Sequence, residues 1–90
     1  MGRKSSYLEQ MDKFIGRKIY FLRLAKGLSR AELSKVIDVT YQQLQKYENG
    51  TNRVSASRLL LIAKALEHEI PYFYEEFEKS DNSLQGSKKI

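Results

Sequence analysis

Two segments eleven residues apart begin in the same way. Leu28-Ser29-Arg30-Ala31-Glu32-Leu33 and Val39-Thr40-Tyr41-Gln42-Gln43-Leu44 each place a hydroxyl residue after an apolar one, then Glu or Gln three positions on. At a helix start this is a capping box. The flanking pairs Leu28/Leu33 and Val39/Leu44 form a hydrophobic staple that fixes the angle of entry. The first of the two helices therefore ends near Ile37, and only Ile37-Asp38-Val39 separates it from the second. So sharp a turn calls for a left-handed residue, and Asp38 adopts that conformation at less cost than most non-glycines. Two helices joined in this way make a helix-turn-helix unit.

The remaining apolar spacings are also helical. Ile15, Ile19 and Leu22, widened by Phe14, define a first helix over 12–26, stopped by Gly27. The third helix ends at Asn49-Gly50. Ser55 caps a fourth, whose Leu59, Ile62, Ala63 and Leu66 face inward. Pro71 suits the first turn of a fifth, carrying Tyr72, Phe73, Tyr74 and Phe77. No alternating strand pattern or internal repeat is present. The expected organisation is all-α: a flexible N-terminal arm at 1–11, a five-helix domain at 12–78 and a flexible C-terminal tail at 79–90. Ninety residues form one small domain with a thin core, which favours a partner subunit.

Composition removes several classes of function. The chain has no cysteine and one histidine, which excludes disulfides, zinc-thiolate sites and most His-based catalysis. No nucleophile–base pair, phosphate loop, metal set or small-molecule substrate site is evident, so neither an enzyme nor a cofactor is expected. Glu67-His68-Glu69 puts adjacent helical residues on diverging sides and reads as surface. No apolar run approaches a membrane span, and MGRKSSYLEQ is too polar for a signal peptide, so a cytoplasmic protein is expected. Charge is uneven. Met1 to Leu66 has 13 Lys/Arg against 5 Asp/Glu, whereas Glu67 to Ile90 has 3 against 6. A basic body with an acidic end suits a polyanion bound through one face.

At 100° per residue the third helix turns Leu44 and Tyr47 inward, flanked by Thr40 and Gln43. Tyr41, Gln42, Gln45 and Lys46 occupy the opposite arc. Such a face can simply be solvated, although Glu and Lys are commoner fillers than Gln. Preceded by a helix and a tight turn, it reads better as a contact surface. Gln matches the adenine major-groove edge, Lys donates to guanine or phosphate, and Tyr packs on a thymine methyl or donates its hydroxyl. Tyr72, Phe73, Tyr74 and Phe77 are many aromatics for one terminal helix. They either close the core or supply a dimer contact, and the expectation is that they do both.

These residues carry a resemblance. Ile15-Gly16, Ile19, Leu22-Arg23, Gly27-Leu28-Ser29, Glu32-Leu33, Val39-Thr40, Gln42, Leu44, Tyr47-Glu48-Asn49-Gly50 and Leu59, Ile62-Ala63, Ala65-Leu66 resemble the Xre/Cro/C1-type helix-turn-helix domain, named for phage repressors. The resemblance implies a five-helix, lambda-repressor-like domain whose third helix enters the major groove. It places Thr40, Tyr41, Gln42, Gln45 and Lys46 at base edges, and Ser29, Arg30, Asn49, Asn52 and Arg53 near phosphates. It also implies that Glu48 pairs with Arg23 instead of touching DNA. Three positions depart from the family pattern: Arg30 for Gln, Ser34 for Ala, and Asp38 for Gly. The Ser34 hydroxyl then needs a partner, expected to be the carbonyl four residues earlier.

The expected function is a sequence-specific regulator of transcription, binding double-stranded DNA as a homodimer on a palindromic operator. The alternative is an antitoxin that binds a toxin protein and also its own promoter.

Overall fold

Capped starts and left-handed stops divide residues 6–80, those described by the computed structural model, into short helices. These are α1 (Ser6–Lys26), α2 (Arg30–Val36), α3 (Tyr41–Glu48), α4 (Ala56–Leu66), a 3-10 helix (Ile70–Phe73) and α5 (Glu75–Ser80). Ser29, Thr40 and Ser55 each accept a hydrogen bond from the backbone N–H three residues on, as N-caps do. The stops at Gly27, Asp38, Gly50 and Glu67 all have positive φ. Asp38, at φ 59°, is the left-handed residue the turn requires. Its N–H and that of Val39 donate to Lys35 O and Ser34 O, closing the end of α2.

Of the helix starts among the described residues, only that of α2 carries a complete capping box, with Ser29 N–H donating to Glu32 Oε1 at 2.7 Å. In α3 the Gln43 side chain turns away from Thr40 and donates to the Tyr47 hydroxyl one turn later, at 3.1 Å. A neutral carboxamide gains less than Glu from a lone backbone N–H, and a hydroxyl lies within its reach. The Ser34 hydroxyl donates to Ala31 O at 3.0 Å, three residues back instead of four.

Ile19, Leu33, Ile37, Leu44, Ile62, Leu66 and Phe73 are fully buried and form the core with Tyr47, Leu59 and Ala63. The staple residues Leu28 and Val39 pack against it. Arg58 donates to Ile37 O at 2.7 Å, tying α4 to the orphan carbonyls at the end of α2.

Both ends of the domain differ from expectation. α1 starts at Ser6, so part of the supposed flexible arm is helix. Tyr7, Met11 and Phe14 extend the apolar stripe at i, i+4 and i+7. The rings of Tyr7 and Phe14 both pack on Phe77, with centroids 5.4 Å away in each case. The expected fifth helix is two pieces, a 3-10 turn that starts at Ile70-Pro71 and then α5, with Tyr74 (φ −132°) between them. Lys79 and Ser80, assigned to the tail, end α5. The remainder of the arm and of the tail lies outside the described residues.

Candidate nucleic-acid interface

The inward face of α3 is fixed by burial and by charge pairing. Leu44 and Tyr47 enter the core. α1 crosses the end of α3 so closely that a Cβ on Gly16 would overlap the Tyr47 carbonyl oxygen and lie 2.8 Å from Glu48 O. Glu48 and Arg23 are almost fully buried and form the implied pair, Arg23 Nε donating to Glu48 Oε2 at 2.7 Å. Arg23 also donates to Leu28 O, which satisfies the guanidinium further.

A second guanidinium joins them. Arg30 Nε donates to Glu48 Oε1 at 2.9 Å, and its Nη1 reaches the Tyr41 hydroxyl at 3.3 Å. Its guanidinium carbon lies 5.5 Å from the centre of the Tyr41 ring. The Tyr41 hydroxyl, then Glu48, hold the Arg30 guanidinium above its ordinary value. One carboxylate between two guanidiniums leaves the group with a net positive charge.

The outward face is the opposite. Gln42, Gln45 and Lys46 are exposed. None of their side chains bonds or ion-pairs with another described residue. Tyr41 shares the face, 46% exposed, but its hydroxyl already accepts from Arg30. Thr40 lies at the start of this face, its oxygen occupied by Gln43 N–H at 3.0 Å and its hydroxyl proton still available.

The five residues expected near phosphates divide into two kinds. Ser29 stands exposed at the start of α2, and Asn49 at the end of α3. Asn49 Oδ1 accepts from both Thr51 N–H and Thr51 Oγ1, which leaves its amide group as a donor. Asn52 is half-buried, its backbone N–H held by Lys46 O. Arg30 and Arg53, by contrast, are not free cations. Arg30 is bound as described, and Arg53 Nε donates to both oxygens of the buried Asp12, at 3.2 and 3.3 Å.

The four aromatics expected at a dimer contact divide likewise. Phe73 is fully buried and Phe77 nearly so, both inside this chain. A ring that fills its own core has no surface to offer a partner, so these two belong to the core. Tyr72 is exposed and Tyr74 half-buried.

Sequence reasoning passed over Lys13 and Arg17. These form one wall of a cleft of about 440 Å³ whose other wall includes Gln45 and Asn49 of α3. Their spacing of four on α1 was a usable signal, but their closeness to α3 was not. It follows from the crossing at Gly16. Among the described residues no group of three or more His, Cys, Asp or Glu is placed to hold a metal ion. No helix among them is long and apolar enough to cross a membrane.

A short helix, a left-handed turn and a second helix with an unengaged polar face define a helix-turn-helix protein. The helix-turn-helix family model matches residues 19–73, well over half of the chain. An uncharacterised HTH-type transcriptional regulator of Rickettsia conorii is 59% identical over 81 residues, 90% of this chain and 65% of the relative. An uncharacterised transcriptional regulator in the ATPase CF(0) region of Rhodospirillum rubrum is 43% identical over 79 residues, 88% of this chain and 73% of the relative. Among solved structures, the restriction-modification controller protein C.AhdI from Aeromonas hydrophila superposes with a TM-score of 0.65 at 31% identity, covering 71% of this chain and 96% of that one. The clp gene regulator ClgR from Corynebacterium glutamicum shares the fold, with a TM-score of 0.72 at 24% identity over 88% of this chain and 83% of that one.

The chain belongs to the helix-turn-helix family of Xre/Cro/C1 type. It spans just under two thirds of the length of the Rickettsia relatives.

Proposed function

We propose that the chain regulates transcription in the cytoplasm by binding double-stranded DNA sequence-specifically, with α3 in the major groove. The observation that carries this reading is the outward face of α3. Gln42, Gln45 and Lys46 are exposed, unengaged within the described residues, and have no acid among them. Base edges in the major groove offer the complementary donors and acceptors. Thr40 and Tyr41 stand at the leading end of the same face. Ser29, Asn49 and Asn52 lie along its borders, where donors to phosphate fix register.

A homodimer on a palindromic operator, with half-sites about one helical turn apart, suits this motif. Exposed Tyr72 and half-buried Tyr74 are the aromatics left for the contact. The names of the relatives favour regulation over the toxin-binding alternative. Selection of binding sequences from a random duplex pool tests the whole reading. It predicts a two-fold symmetric consensus, bound more weakly as salt rises. Binding with no sequence preference and no salt dependence would contradict it.

A further inference from the structure

Arg30 and Arg53 are tied to carboxylates, which raises the question of what else could hold the DNA backbone beside α3. The cleft between α1 and α3 supplies an answer. Lys13, Arg17, Tyr20 and Phe21 line it from α1, opposite Gln45 and Asn49 of α3. Positions 13, 17, 20 and 21 lie on one stripe of a helix. Lys13 and Arg17 are exposed, and neither pairs with a carboxylate among the described residues. The stem of Lys13 passes over Gly50, where an added Cβ would stand 2.5 Å from Lys13 Cγ. The stem is thus seated while the ammonium group stays in water.

Arg30 and Glu48 complete the lining. Glu48 is the only acid in it, and both of its oxygens are already taken by Arg23 and Arg30. It therefore repels an incoming anion little. Phe21, 54% exposed, and Tyr20 add an apolar strip beside the charges. Two unpaired cations with an apolar strip, open to solvent and sharing a wall with the base-reading face, match one ligand. That ligand is a phosphodiester strand with its deoxyribose. We infer that this cleft grips the DNA backbone at the edge of the major groove read by α3, with Lys13 and Arg17 as its phosphate ligands. The inference rests on the reading of α3 as the DNA-contacting helix. It extends the bound site beyond the bases that α3 reads.

The test uses the full chain and a fluorescent duplex carrying its selected consensus, in two lengths. One keeps several base pairs of flank, and the other is trimmed to the consensus. For the double variant Lys13→Ala/Arg17→Ala, the slope of log affinity against log salt should shrink by about 1.8 for each bound protomer, hence by about 3.6 for a dimer on both half-sites, as two lost phosphate contacts per protomer require. Base preference should stay as in the wild type. Trimming the flank should weaken the wild type and leave the variant unaffected. Lys13→Gln/Arg17→Gln keeps the side-chain stems and should behave alike, which separates lost charge from lost packing. An unchanged slope in both variants, or equal sensitivity to trimming in variant and wild type, overturns the cleft assignment alone. A wild type that binds the duplex with no salt dependence and no sequence preference overturns the reading of α3 as well.

Discussion

The two faces of α3 handle polar groups in opposite ways. Inward, Glu48 is buried, and each of its oxygens accepts from a guanidinium. Outward, Gln42, Gln45 and Lys46 carry as much hydrogen-bonding capacity and direct none of it at a described neighbour. The buried group is used in folding, because an unpaired charge there would be costly. The exposed groups contribute little to folding and remain available to a ligand. Tyr41 and Arg30 stand at the border between the two faces, joined at 3.3 Å.

The contrast breaks most severely from the inside. Glu48→Ala leaves the buried Arg23 without its partner, and loss of such a partner costs about 3–5 kcal/mol. Chemical denaturation should show a drop of that order, with binding lost through unfolding. On the outer face, Gln42→Ala should leave the denaturation midpoint unchanged. It should weaken binding to the preferred duplex by about 1–3 kcal/mol and relax specificity at one position, as read by titration of single-base variants.

Arg30 and Tyr41 couple the two faces. Arg30→Ala frees Tyr41 from its hydroxyl partner, so it should disturb base preference near the start of α3 as well as overall affinity. Tyr41→Phe removes the same contact while keeping the ring, and should reproduce the change in preference with a smaller loss of affinity. The two selected consensus sequences, set beside that of the wild type, check this.

Effects remote from both faces should be smaller. Asp38→Gly relieves a left-handed non-glycine, a gain of up to about 1 kcal/mol, offset in part by the greater entropy of the unfolded chain. It should raise the melting temperature slightly and leave binding intact. At Glu67, the Lys26 ammonium 2.9 Å away holds the carboxyl below the usual range. The folded state then binds fewer protons there than the unfolded state. The contribution is present above the unfolded value and is lost as pH falls through the folded one. Because the group is fully exposed, Glu67→Gln should flatten the acid limb of a stability–pH curve only faintly.

Much of the fold was legible because its signals are local. The capped starts at Ser29, Thr40 and Ser55 fixed three helices, and the short link with Asp38 fixed the turn. The buried Arg23–Glu48 pair came from resemblance and not from spacing. What stayed hidden depends on contacts between distant segments. The early start of α1 needed Phe77 to stand beside Tyr7 and Phe14. The burial of Phe77 depends on the same contact, and that of Phe73 on its place in the main core. Arg53 could not be matched to Asp12, 41 residues away, without the crossing of α1 over the end of α3. Lys13 and Arg17 were missed for the same reason. The candidate base-reading residues were visible because a helical angle alone separates them from Leu44 and Tyr47.

The most direct test of α3 as the reading element is a pair of parallel selections, one with the wild-type chain and one with Gln42→Lys. If the outward face contacts base edges, the consensus should change at one position of each half-site and persist elsewhere, since Lys and Gln match different bases. An identical consensus from the two proteins would contradict base reading by this face.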